Sequence, residues 1–93
     1  MIYEKCEIVF TDHFWEQFNI RKSEAPIDFT FETAMEAIQN PDFILQDKES
    51  NRENRVKKIN GRCLKVVIEK KDNILIVVTV FFDRGLKRRG LCS

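Results

Sequence analysis

Residues 74–82 read ILIVVTVFF, and this stretch limits the fold more than any other part of the chain. All of it except Thr79 is apolar, so a strand built from it is apolar on both faces and belongs inside a sheet rather than at an edge. The run before it alternates, with Leu64, Val66 and Ile68 set against Cys63, Lys65 and Val67, and a polar KKDN turn joins the two. Residues 62–69 and 74–82 are therefore expected to pair antiparallel. Upstream, RVKKI at 55–59 is followed by Asn60-Gly61, the strongest short hairpin signal. Phe43, Ile44 and Leu45 add another compact apolar run, so about four strands are expected after Pro41.

Before Pro41 the period is helical. Phe14, Trp15 and Phe18 follow Thr11 and Asp12, either of which can cap a helix, and acidic Asp12 and Glu16 suit the positive end of its dipole. This first helix should run to about Lys22. Ile8, Val9 and Phe10 before it are an initial strand or the lead-in to the helix, and periodicity does not separate the two. Thr30 caps a second helix in which Phe31, Ala34, Met35 and Ile38 form one apolar stripe, ended by Asn40-Pro41. Helices followed by strands define an α+β domain: two N-terminal helices packed on one face of an antiparallel sheet. A length of 93 residues is one domain's worth, so 1–93 is a single unit, with a basic tail at 84–93 (RGLKRRGLCS) expected to be partly flexible.

With 43% hydrophobic and 33% charged residues, the chain is too apolar for a disordered tail and too charged for a membrane protein. No run approaches the roughly 18 apolar residues of a bilayer span, and Met1 is followed by Tyr3, Glu4 and Glu7 rather than by a basic segment and an apolar core. A cytoplasmic location with no membrane partner is expected. Cys6, Cys63 and Cys92 are an odd set without the close pairs of zinc sites, which points to free thiols. No His/Cys metal cluster, glycine-rich phosphate loop or Ser/His/Asp arrangement is visible, so no metal and no cofactor are expected.

A net charge of +1 conceals a division. Residues 1–50 hold eleven acidic side chains against four basic ones, and residues 51–93 hold twelve basic against four acidic. The second half thus suits an anionic partner, although a solvated face accounts for such a division about equally often.

Three positions stand out chemically. His13 is the sole histidine and lies on one helical stripe with Gln17 and Arg21, bordering the apolar stripe of Phe14 and Phe18. An imidazole gives and takes protons near neutral pH, yet a lone histidine near a helix start is more often a surface residue. Thr79 is the one hydroxyl in ILIVVTVFF, on a face expected to include Leu75, Val77 and Phe81, and a strand threonine commonly just satisfies a backbone group. Arg52, Arg55, Lys57 and Lys58 surround the first hairpin strand, with Arg55 and Lys57 on one face and Lys58 on the other. There they can hold phosphates or protect a sheet edge.

Taken in order, FTDHFWEQFNIRK, FTFETAMEAIQNPDFI, RVKKINGRCLKVVIE and ILIVVTVFF resemble a small prokaryotic domain family of unknown function. That family is similar to the RelE and BrnT toxins, within the barnase, EndoU, colicin and RelE-like group. The resemblance covers about residues 8 to 83 and implies helices on an antiparallel sheet, with metal-independent ribonuclease activity in active members. By position it nominates His13, Arg21 and Thr79 as catalytic. Arg55 or Lys58 would be phosphate partners, and Phe81 stands where the family often has tyrosine. The reaction it implies is attack of a ribose 2′-OH on the adjacent phosphate. His13 would move the proton, Arg21 and Arg55 would stabilise charge, and Thr79 would hydrogen-bond a phosphate oxygen. RNA held by Arg52, Arg55, Lys57, Lys58, Arg88 and Arg89 is the expected partner, and an antitoxin protein a further one. The alternative is a non-catalytic protein- or RNA-interaction module of the same fold.

Overall fold

A computed structural model describes residues 7–24, 29–48 and 51–92. Along the chain the elements run β1 (Glu7–Phe10), α1 (Asp12–Glu24), α2 (Phe31–Gln39), β2 (Phe43–Gln46), β3 (Arg52–Ile59), β4 (Arg62–Lys71), β5 (Ile74–Phe82) and α3 (Arg84–Arg88). The five strands lie in the order β1-β5-β4-β3-β2. The β2–β3, β3–β4 and β4–β5 pairs are antiparallel, whereas β1 runs parallel to β5. The fold is thus α+β, as expected, but with a mixed sheet of five strands and a strand ahead of the helices. Strand β5, apolar on both faces, lies inside the sheet as its composition requires.

Local chemistry accounts for the joints. Asn60 and Gly61 take φ of 50° and 79°, so the β3–β4 hairpin turns with positive φ at both central positions, matching the right-handed twist of the strands it joins. The Thr30 side chain accepts from the Thr33 N–H while the Thr33 side chain accepts from the Thr30 N–H, a reciprocal cap at the start of α2. Thr11 does more than cap α1. Its Oγ1 accepts from the Phe14 N–H at 3.0 Å and donates to the Val78 carbonyl at 2.9 Å. Val78 is the extra residue of a bulge, because Val67 pairs with Thr79 while Ile68 pairs with Val77. One hydroxyl therefore binds the end of β1, the start of α1 and the bulge of β5 into one joint.

The bulge changes which side chains share a face. Ahead of it Leu75 and Val77 point to the helices with Ile68; beyond it Val80 and Phe82 do so, paired with Val66 and Leu64. Thr79 and Phe81 consequently lie on the opposite face, beside Val67 and Lys65, so Thr79 does not share a face with Leu75 and Val77 as strict alternation predicts.

The main core forms between the helices and the sheet, from Phe14, Phe18, Phe29, Ala34, Ala37 and Ile38 against Leu64, Val66, Ile68, Val77 and Val80. Burying each large side chain contributes about 1.5–3 kcal/mol. On the other face a smaller cluster joins Val56, Cys63, Leu86 and Cys92. It is closed by the tail, which is structured through residue 92. Asp83 caps α3 by accepting from the Leu86 N–H. The Gly90 N–H reaches the Lys87 carbonyl at 3.0 Å and the Leu91 N–H the Leu86 carbonyl at 3.1 Å. With Gly90 at φ 78°, these bonds form a Schellman motif that turns the chain back toward β4. There Cys92 forms a disulfide with Cys63 across a Cα–Cα distance of 5.2 Å, so two of the thiols expected to be free are joined. Cys6 lies outside the described residues. Among the described residues no helix is long and apolar enough to cross a membrane.

Candidate functional site

The turned-back tail builds a concave site. The last turn of α1, the start of β4, the end of β5 and α3 enclose a pocket of about 480 Å³. Its cations are Arg21, Arg62, Arg84, Lys87 and Arg88, and its carboxylates are Glu24 and Asp83. The two carboxylates differ in what they can do. Asp83 ion-pairs with Lys65 at 2.7 Å and caps α3, so it is committed to structure. Burial raises its pKa, but the hydrogen bonds from Lys65 and the Leu86 N–H outweigh that and hold it below the usual carboxylate range. Glu24 is largely exposed and pairs only at its Oε1 with Arg21, at 3.0 Å, among the described residues.

Arg21 is held at two points. Its Nη2 donates to Gln17 Oε1 at 2.8 Å and its Nη1 to Glu24, which uses the helical stripe seen in the sequence. Its Nε is buried without a hydrogen-bond partner among the described residues. A buried donor left unmatched is costly, so the charge Arg21 offers to the pocket is carried by the rest of its guanidinium. Arg62 lies with its guanidinium 5.3 Å from the centre of the Phe82 ring, which orients the charge at the pocket wall.

The other nominated residues are distributed elsewhere. His13 lies about 12 Å from Arg21 along the helix axis, and its exposed ring has Nδ1 4.0 Å from Glu16 Oε1. Thr79 is on the sheet face away from α1. The expected meeting of His13, Arg21 and Thr79 at one site is therefore not formed; Arg21 alone lines the pocket.

The basic strand is mostly engaged within the protein. Arg55 ion-pairs with Glu53 and donates to the Ile38 carbonyl. Lys57 donates to the Asn40 carbonyl at 3.0 Å, so both cations sit on the carbonyl end of α2, where its dipole favours them. Arg52 pairs across the strands with Glu69 at 3.2 Å. Lys58 points to the second face beside Phe43 and Leu91, and its backbone N–H donates to Asp42. In the tail, Arg88 lines the pocket, whereas Arg89 is exposed and caps α3 through its backbone N–H.

Arg62, Arg84, Lys87 and Glu24 were not singled out by sequence reasoning. A signal existed for some: Asp83 as a cap and Gly90 as a helix stop predict a short helix that would carry Arg84, Lys87 and Arg88 together.

The architecture is similar to the solution structure of HP0894, a conserved hypothetical protein from Helicobacter pylori. The TM-score is 0.55 and the identity 13%, covering 85% of this chain and 96% of that one. At this identity the likeness is one of fold. No protein-family model matches the chain, and no curated protein matches it.

Proposed function

We propose that this chain is a toxin-type domain of the RelE and BrnT kind that binds the RNA backbone in the basic pocket and cleaves it without a metal ion. The observation that carries the reading is the convergence of Arg21, Arg62, Arg84, Lys87 and Arg88 from separate elements on one concavity. Guanidinium groups match phosphate oxygens with paired donors, and a cluster of cations from several elements fits a polyanion better than a single acidic side chain.

RNA carries its own nucleophile. The ribose 2′-oxygen attacks the adjacent phosphorus and the bond to the 5′-oxygen breaks, giving a 2′,3′-cyclic phosphate and a 5′-hydroxyl. Glu24 takes the proton of the 2′-OH, and the Lys87 ammonium supplies one to the departing 5′-oxygen. Arg21, Arg62 and Arg84 stabilise the added negative charge on the phosphorane-like transition state. His13 and Thr79, the positions nominated by resemblance, have no part in this scheme.

Total RNA incubated in EDTA with the purified protein should give fragments ending in cyclic phosphate. Glu24→Gln should slow cleavage by about 10²- to 10⁴-fold and Arg21→Ala by about 10²- to 10³-fold. Undiminished cleavage by both variants would contradict the proposal. Binding without any cleavage would leave the second reading, a non-catalytic RNA-interaction module. The Arg21–Glu24 ion pair favours it by engaging the proposed base.

A further inference from the structure

The Cys63–Cys92 disulfide joins the two sides of the basic pocket. Cys63 is 1% exposed and stands in the pocket wall next to Arg62, while Cys92 is 3% exposed and follows the turn that ends α3. Three of the pocket's five cations, Arg84, Lys87 and Arg88, ride on α3. A helix of five residues does not hold itself together in water, so its place depends on what fastens it. The fastenings are the Asp83 cap at its start, the burial of Leu86, the packing of Leu91, and the disulfide at its far end. Only the disulfide is a bond that chemistry can open and close.

From this we infer that the thiol–disulfide state of Cys63 and Cys92 controls the basic pocket: oxidised, α3 is fixed and its cations complete the site; reduced, the turn after α3 is released and the site is weakened. This rests on the reading of the pocket as the RNA site. The reductant is a dithiol. Its thiolate attacks one sulfur of the disulfide, giving a mixed disulfide and one protein thiolate, and its second thiolate then displaces the other. Two electrons pass to the protein, whose cysteines take up two protons as thiols, and the reductant ends as a cyclic disulfide. With Cys63 and Cys92 both buried, the attacking thiolate reaches the bond when the turn after α3 opens. RNA seated on the α3 cations would hold that turn closed, and by linkage the redox state that binds RNA better is the one RNA preserves.

The test uses the full chain carrying Cys6→Ser, so that only this pair reports. Fluorescence anisotropy with a labelled single-stranded RNA is measured for the oxidised protein, for the dithiothreitol-reduced protein and after reoxidation by oxidised glutathione, whose disulfide takes up the two electrons. Amide hydrogen exchange over residues 84–92 is followed in parallel. Reduction should weaken RNA binding by about tenfold, raise exchange over 84–92 and be reversed by reoxidation. Adding Cys92→Ser should fix the weak-binding behaviour and remove the response to dithiothreitol. Equal RNA affinity in both redox states, or exchange over 84–92 that reduction leaves unchanged, would overturn the inference. Increased exchange on reduction in a protein that binds RNA in neither state would support the control of α3 and reject the RNA reading.

Discussion

Glu53 is 7% exposed, and a carboxylate so placed survives only with charged partners. Lys70 at 2.9 Å and Arg55 provide them. Burial pushes its pKa up from 4.5, but the hydrogen bonds of Lys70 and Arg55 outweigh this and leave it lowered. A carboxylate with a lowered folded pKa adds stability above its unfolded value, and that stability is lost as pH falls through the folded value. Urea denaturation of Glu53→Gln should therefore show a loss of about 2 kcal/mol near neutral pH, narrowing once the pH falls below the ordinary carboxylate range. A gap independent of pH would assign the loss to packing instead. His13 makes the opposite case. Its ring is exposed and outside the pocket, so His13→Ala should leave cleavage within about twofold and stability within about 0.5 kcal/mol. A loss of cleavage near that of Glu24→Gln would return His13 to the site.

The elements show where periodicity informs and where it fails. The Thr30 cap of α2 is legible, since Thr30 precedes an apolar stripe at helical spacing, whereas its reciprocal partner Thr33 is not. Thr30→Ala should cost about 1 kcal/mol in a urea titration, and a neutral result would show that packing alone sets the start of α2. The β3–β4 hairpin was equally legible because Asn60-Gly61 has few other uses in a chain. The bulge at Val78 was not. In a segment apolar on both faces an inserted residue breaks no alternation, so strict alternation puts Thr79 on the wrong side. Strand β1 was ambiguous for a related reason, because a run of three apolar residues has no period. The conformation of the tail is not legible, because its basic composition resembles a flexible end while its helix and turn depend on Asp83, Gly90 and a disulfide partner distant in sequence. Of the candidate site, only Arg21 and Arg88 stand out in the sequence. The rest depended on α3 closing over the start of β4, a contact that no local pattern encodes.

Across the whole molecule the division of charge along the sequence becomes a division in space only in part. Arg52, Arg55 and Lys57 neutralise the acidic residues and helix end of the protein itself, whereas Arg62, Arg84, Lys87 and Arg88 gather with Arg21 at the pocket. The basic half therefore has a structural share and a share left for a partner, and the second is concentrated at one place. Counterion release measures that share. Binding of single-stranded RNA by cations that neutralise phosphates weakens with salt at a logarithmic slope of about −0.7 per contact, so about four contacts give a slope near −3. The measurement is the salt dependence of single-stranded RNA affinity between about 50 and 200 mM salt in EDTA, for the parent protein and for Arg21→Ala/Arg62→Ala/Arg84→Ala. A parent slope of about −3 that falls to about −1 in the triple variant is the predicted result, whereas an equal slope in both proteins, or no binding at low salt, would contradict the pocket as the RNA site.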